Sequence, residues 1–350
     1  MSGLWLETDP KLPMPTPLHQ TCTTPATMTV TRRHNRLVIG KQMRLLITGG
    51  AGFIGSNLVK LALDGGAEVT VLDDLSTGHR ANVDGLDVTF VEGSVLDAES
   101  VRQSLSGVDA VIHLAALGSV PRSIEDPLRS HAANATGTLT ILDQARQAGI
   151  KHFVVSSSSS VYGMNPALPK AEREWVRPMS PYAVSKLAAE QYVLAYQQSY
   201  GMTTLAFRFF NVYGPGQRSG HAYAAVIPEF MDALLSRRPM PVHGDGTQSR
   251  DFTYVGTVCR VLLESAVRRV SYPEPVNLAY GSNTTLNDLI ETISRVAGRR
   301  PSVQFTDPRP GDVKHSQADN RALLSLFPEI EPVPLEQGLA ATLNWLEGMK

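Results

Sequence analysis

The chain has 350 residues, of which 42% are hydrophobic and 19% charged, with a formal net charge of −1. That is the composition of a soluble globular protein with one large or two moderate domains, and it excludes a global field drawing the chain to nucleic acid or an anionic membrane. The two cysteines, Cys22 and Cys259, are too few and too far apart for a disulfide framework or a CxxC-type metal cluster, so no metal site is expected. No apolar run approaches the roughly 18 residues of a membrane-spanning helix.

Residues 1–42 are rich in Pro and Thr, carry Arg32, Arg33 and Arg36, and lack the apolar core of a secretory signal. They are expected to be a flexible extension, or to precede a true start at Met28 or Met43, with a transit peptide as the alternative. From Met43 the text becomes regular. "MRLLITGGAGFIG" opens with a buried strand over Leu45–Thr48, turns through glycines, and continues as a helix that stops at Gly65-Gly66. "EVTVLDD", "VTFVEG" and "AVIHLAA" read as further strands, followed by a helical stretch from Asp126 to Ala148 and the strand "HFVVSSSS". A helix over 180–199 starts on Ser180 as cap and Pro181 as first residue and ends at Gly201. "TTLAFRFFNVYG" is another strand. The alternation predicts a doubly wound parallel α/β sheet with helices on both faces. After Gly214 loops dominate. Helices are expected near 226–237, 255–266, 286–296 and 335–347, forming a smaller C-terminal lid. The expected division is 43–213 for the first domain, with later segments returning to it, and 214–350 mainly for the second.

Gly49, Gly52 and Gly55 form GxxGxxG between a strand and a helix, where backbone N–H groups and a helix N-terminus can cradle a diphosphate. Asp73 ends the second strand, where a carboxylate accepts both ribose hydroxyls and repels a 2′-phosphate, which favours NAD over NADP. Arg80 lies nearby and works against that preference. Tyr182 and Lys186 sit one helical turn apart, so an ammonium can lower the phenol's pKa and make it a base near neutral pH. The serines of "VVSSSSSVYG" end a strand that should neighbour this helix, and spacing does not choose among them.

Together "TGGAGFIG", "HLAA", "SSSSVYG", "SPYAVSK" and "RFFNVYGPGQ" resemble the extended short-chain dehydrogenase/reductase family, specifically the UDP-sugar 4-epimerases, over about residues 43–347. "AALGSVPRSIEDP", "AYAAVIP", "GDGTQSRDF" and "RPGDVKHSQAD" resemble the UDP-N-acetylglucosamine branch. The resemblance implies a Rossmann domain holding NAD, with an α/β substrate-binding lid. Tyr182 is the implied base, Lys186 its electrostatic partner and Ser158 the bridging hydroxyl. The implied NAD contacts are Gly49, Gly52, Phe53, Ile54, Gly55, Asp73, Asp74, Ser76, Thr77, Gly78, Ser94, Val95, Leu114, Ala115, Ala116, Asn134 and Phe210, besides Tyr182 and Lys186. The implied UDP-sugar contacts are Gly118, Ser119, Arg122, Ser158, Ser159, Asn211, Ala225, Val226, Val242, Arg250, Arg309, Asp312 and Ser316. Ser94 stands where relatives often carry an Asp that meets adenine. Ser316 is small where a bulkier residue would exclude an N-acetyl group.

The resemblance thus implies reversible C4 epimerisation of UDP-GlcNAc/UDP-GalNAc, with UDP-Glc/UDP-Gal as further substrates, in a cytoplasmic homodimer serving polysaccharide biosynthesis. The rivals are a UDP-glucuronate 4-epimerase or decarboxylase, a 4,6-dehydratase, and a non-enzymatic dinucleotide sensor. Dehydration usually needs an Asp-Glu pair where Ser159 and Ser160 stand.

Overall fold

The computed structural model describes residues 31–33, 36–38, 43–219, 225–308 and 313–349. The remainder of the expected 1–42 extension lies outside the described residues. Strands β1 (Thr31–Arg33) and β2 (Arg36–Val38) pair antiparallel as a short hairpin. The main domain then runs β3 (Arg44–Thr48), α1 (Phe53–Asp64), β4 (Glu68–Asp73), β5 (Val88–Glu92), α2 (Ala98–Ser104) and β6 (Ala110–His113). Short helices α3 (Val120–Glu125) and α4 (Pro127–His131) lead through a π-turn at Ala132–Thr136 into α5 (Gly137–Gln147). The predicted helix over Asp126–Ala148 is therefore real but widened in the middle. Asp126 caps its start through Arg129 N–H at 3.0 Å, and Gly149 follows with φ 79°. Next come β7 (His152–Ser158), α6 (Pro181–Tyr200) and β8 (Thr203–Phe209).

The C-terminal part contains β9 (Asn211–Tyr213), α7 (Val226–Leu235), β10 (Met240–His243), β11 (Ser249–Arg250), β12 (Phe252–Tyr254) and α8 (Val255–Val267). It continues with β13 (Val276–Leu278), β14 (Thr284–Thr285), α9 (Leu286–Ala297), β15 (Val303–Thr306), α10 (Arg321–Leu326) and α11 (Leu335–Glu347). The central sheet has seven strands, all parallel, in the order β13-β8-β7-β6-β3-β4-β5. The order reverses between β3 and β6, which opens a crevice at the carboxyl ends of those strands.

Two apolar layers cover the sheet. One unites α1 with Leu45, Ile47, Val69 and Val71, and the other unites α2 and α5 with Leu46, Val111, Phe153 and Val155. Alternate residues of β3 thus point to opposite layers. Helix α8 was expected in the lid. It packs instead on α1 inside the first layer, with Val258, Val261, Leu262 and Leu263 fully buried. It is buried on nearly all sides, so its sequence carries no single apolar stripe to announce the partner. The third cluster joins α7, α9 and α11 over β10. No described helix is long and apolar enough to cross a membrane.

Candidate active site

The crevice is a cleft of about 770 Å³ running from the glycine turn past β6 to α6. Gly49 turns at φ +69°, and a Cβ there would stand 2.8 Å from Ala115 N. Gly52, in extended backbone, precedes α1 without a side-chain cap, so the first N–H groups of α1 face the cleft that Gly52, Phe53, Ile54 and Gly55 line. This is the geometry that receives a diphosphate.

Asp73, Asp74, Ser76 and Thr77 line the same cleft. Asp73 is buried, and its two oxygens each accept a backbone N–H at 2.9 Å, from Ala51 and Leu75. Burial raises its pKa, and those two bonds oppose the rise. A carboxylate offers about four lone-pair sites, so two remain for ribose hydroxyls. Gly78 stands behind the wall, where a Cβ would meet Asp73 Oδ1 at 2.9 Å. Arg80 points elsewhere. It lies 3.8 Å over the Phe90 ring and bonds Asp84 at 3.1 Å, so a 2′-phosphate finds no waiting guanidinium there. Ser94, Val95, Leu114, Ala115, Ala116, Gly118, Ser119, Arg122 and Phe210 also line the cleft.

Asn134 is buried outside the cleft wall. Its carboxamide accepts from Leu117 N at 2.7 Å and donates to Leu117 O at 3.3 Å and Ser185 Oγ at 3.0 Å, so it fixes the loop after β6. His113 beneath it is held as one tautomer. Leu114 and Ala115 N–H groups donate to Thr48 Oγ1, which must therefore donate to His113 Nδ1 at 2.7 Å, leaving Nε2–H for Thr138 at 2.9 Å. Burial first, and the Lys186 charge second, lower His113 to about 3 and keep it neutral.

Ser158, Tyr182 and Lys186 meet in the cleft wall where β7 ends against α6. The structure separates the five serines. Ser156 Oγ accepts from Lys186 Nζ at 3.3 Å, and Ser157 Oγ donates to Glu190 at 2.7 Å. Ser158 Oγ accepts from Ser160 N at 3.2 Å and Ser160 Oγ at 2.9 Å, which frees its own proton for the Tyr182 phenol it pairs with. Ser159 opens the short 3₁₀ turn after β7, half-buried and out of the cleft wall. Lys186 is buried and pushed down to about 8 by desolvation, with Glu190 pulling it back. The expected acidification of Tyr182 is not produced by the protein groups alone. Burial raises its pKa, and the bond with Ser158 only opposes that rise.

A second cavity of about 200 Å³ adjoins the cleft through Val212, Gln217 and Ala225, which line both. Asn211, Val226 and Arg250 line it too. Val242 does not. It is fully buried in the third cluster, while its neighbours Pro241 and His243 form the wall, as alternation along β10 requires. Ser316 lies beside β11, its N–H on Ser249 O at 3.1 Å, and lines neither cavity. Arg309 and Asp312 lie outside the described residues. Sequence reasoning missed Gln217, although its motif was singled out. Its Nε2 donates to Val212 O at 3.3 Å, and its buried Oε1 has no partner among the described residues. An acceptor left so at the junction of two cavities suits a ligand hydroxyl or N–H rather than a phosphate oxygen. Among the described residues no His, Cys, Asp and Glu group is arranged to hold a metal.

Residues 45–279 match the NAD dependent epimerase/dehydratase family, and the chain belongs to that family. Its curated relatives include a UDP-glucose 4-epimerase of Mycolicibacterium smegmatis, 35% identical over 87% of this chain and 98% of that protein. Among solved structures it is similar to the UDP-N-acetylglucosamine 4-epimerase from Methanobrevibacter ruminantium M1 in complex with UDP-N-acetylmuramic acid. That similarity is 38% identity over 89% of this chain and all of that one, with a TM-score of 0.84. It is also similar to an NAD-dependent NDP-hexosamine 5,6-dehydratase at 36% identity, over 88% of this chain and 98% of the other, with a TM-score of 0.79. NAD dependence is thus a property of the family. The uncapped α1 N-terminus, the close backbone approach at Gly49 and the acidic end of β4 fit that cofactor.

Proposed function

We propose that the protein catalyses reversible inversion at C4 of a UDP-hexose, acting on UDP-GlcNAc/UDP-GalNAc and also on UDP-Glc/UDP-Gal. The observation that carries this reading is the meeting of Ser158, Tyr182 and Lys186 in one cleft with the glycine turn and Asp73, with a second cavity opening beyond. Tyr182 takes the 4-hydroxyl proton, Ser158 donates to the same oxygen, and Lys186 supplies a fixed positive charge. Bound NAD would accept the hydride from C4 and return it to the opposite face. Asn211, Val226 and Arg250, which line the second cavity, hold the uridine diphosphate there, and Arg309 and Asp312 are the further contacts the resemblance implies. The uncapped N-terminus of α7, at Ala225 and Val226, lines that cavity and suits an anionic group. A firmly held nucleotide leaves the hexose free to turn over between hydride transfers.

The N-acetyl preference rests on the resemblance, in which a small residue at the position of Ser316 admits the N-acetyl group; Ser316 itself lies beside β11 and lines neither cavity. A dehydratase reading is disfavoured because Ser159 and Ser160 stand where an acid and base are needed, and Ser160 is occupied in holding Ser158. A glucuronate enzyme is the weaker enzymatic alternative. A dinucleotide sensor would have no use for the intact Tyr182–Lys186–Ser158 set.

The test is incubation with UDP-GlcNAc and UDP-Glc separately, followed by chromatographic separation of the C4 epimers. UDP-GalNAc should form, and absence of any C4 epimer from either sugar overturns the reading. Ser316→Tyr should depress turnover of the N-acetylated sugar by roughly 10- to 200-fold relative to UDP-Glc. Equal loss on both sugars would remove Ser316 from specificity.

The homodimer is also proposed. Ile124, Leu128 and Val184, on the packed helices α3, α4 and α6, are 66%, 81% and 52% exposed, and a second copy covering this face would bury them. Light scattering should find a dimer that Leu128→Glu/Val184→Glu converts to monomer. A monomeric wild type would sink the proposal.

A further inference from the structure

Tyr182, Lys186 and Glu190 stand at i, i+4 and i+8 on one face of α6. The reaction proposed above uses the first two and leaves Glu190 without a task. Its side chain is 0% exposed, a place where a carboxylate must be paired or give up its charge. Arg208 of β8 pairs it with two prongs, Nε at 2.9 Å and Nη2 at 2.7 Å, and Ser157 Oγ donates a third bond at 2.7 Å. Gln191 Nε2 adds a longer bond at 3.4 Å, and four donors aimed at two oxygens suit the ionised carboxylate. Arg208 is itself anchored, by Nη1 on Glu172 O at 3.1 Å and by the Tyr162 ring at 4.7 Å.

One turn away, the buried ammonium of Lys186 makes a single long hydrogen bond among the described residues, to neutral Ser156. A buried cation without a counter-charge gives up its proton. We propose that Glu190 is a positioning residue of the reaction: its carboxylate, held ionised by Arg208 and Ser157, keeps Lys186 protonated and therefore useful to Tyr182.

The other groups around Lys186 do not substitute for Glu190. His113 of β6 is neutral, Tyr182 is a neutral phenol while only protein groups surround it, and Arg208 acts on Glu190 rather than on Lys186. Arg122, Glu125, Arg129 and His131 of α3 and α4, and the mutually paired Asp143 and Arg146 of α5, complete the charged and titratable groups on the helices packed against α6. Burial draws Lys186 down to about 8, and Glu190 is the charge acting against that. With Glu190 made neutral, Lys186 loses its proton at lower pH. The alkaline fall in turnover then moves to lower pH as well.

This inference rests on the epimerase reading, so its test carries a readout independent of activity. Lysine labelled with ¹³C at Cε is titrated by NMR, and the Lys186 signal is assigned by its absence in Lys186→Arg. Glu190→Gln alone strands Arg208 in the interior, so Glu190→Gln/Arg208→Gln and Glu190→Met/Arg208→Met remove both charges together. The Lys186 midpoint should fall by about one pH unit in the double variants, and the alkaline limb of kcat should follow it. Slower turnover in a folded double variant with an unmoved midpoint makes Glu190 merely structural and overturns the proposal. A wild type without epimerase activity overturns the functional reading instead, and the NMR midpoint still judges Glu190.

Discussion

Tyr182→Phe is expected to slow C4 epimerisation by about 10²- to 10⁴-fold, the range for loss of a positioned acid–base group, with fold and cofactor content unchanged. The substitution removes one oxygen and leaves the ring in place on α6. That oxygen's partner, Ser158, keeps both bonds from Ser160 and loses only the acceptor for its own proton, which lies in the wall of the open cleft. Protein groups alone hold the phenol above its ordinary value, because burial outweighs the Ser158 bond. An active base therefore needs more positive charge against the phenol than Lys186 already supplies, and the oxidised nicotinamide would bring it. The checks are the rate of epimer formation, a thermal melt, and the NAD released on denaturation. A Phe variant with wild-type turnover would remove Tyr182 from the chemistry altogether.

The parts of this site that sequence spelled out are those set by short covalent spacing. A strand, three glycines and a helix specify a turn over seven residues, Gly49 to Gly55, without help from the rest of the chain. Tyr182 and Lys186 share a face because one helical turn separates them. What was illegible depends on partners distant in sequence. The five serines are identical in text, yet Lys186, Glu190 and Tyr182 each take a different one because β7 lies along α6. Strand β13, only Val276–Leu278, is too short to show a period, and it exists because β8 offers it an edge. Val242 and its neighbours divide between core and cavity by a one-residue alternation that a motif match does not register. Nothing in the text of α6 marks Glu190 as buried, because its partner Arg208 comes from β8, 18 residues on.

Gly55→Ala should both destabilise the fold and empty the protein of NAD, whereas Gly52→Ala should do only the second. A Cβ on Gly55 would stand 2.1 Å from Gly49 O, 2.7 Å from Gly50 Cα and 2.9 Å from Gly49 C. All three are backbone atoms, so no side-chain rotation relieves the clash, and either the turn or the start of α1 must move. Overpacking of this kind costs about 1–3 kcal/mol, visible as a lowered melting temperature. It also displaces the N–H groups that face the cleft, so retained NAD should fall at least about tenfold, near 1.4 kcal/mol of binding. At Gly52 the nearest atom to a new Cβ is Gly49 O at 3.2 Å, and its φ of −78° is open to any residue. The fold can absorb that methyl group with a small shift, but the methyl occupies the path by which a diphosphate approaches the backbone. Melting curves and NAD released on denaturation separate the two variants. If Gly55→Ala kept both the melting temperature and the NAD of the wild type, the turn would be free to relax, and its close packing would not be what holds the cofactor.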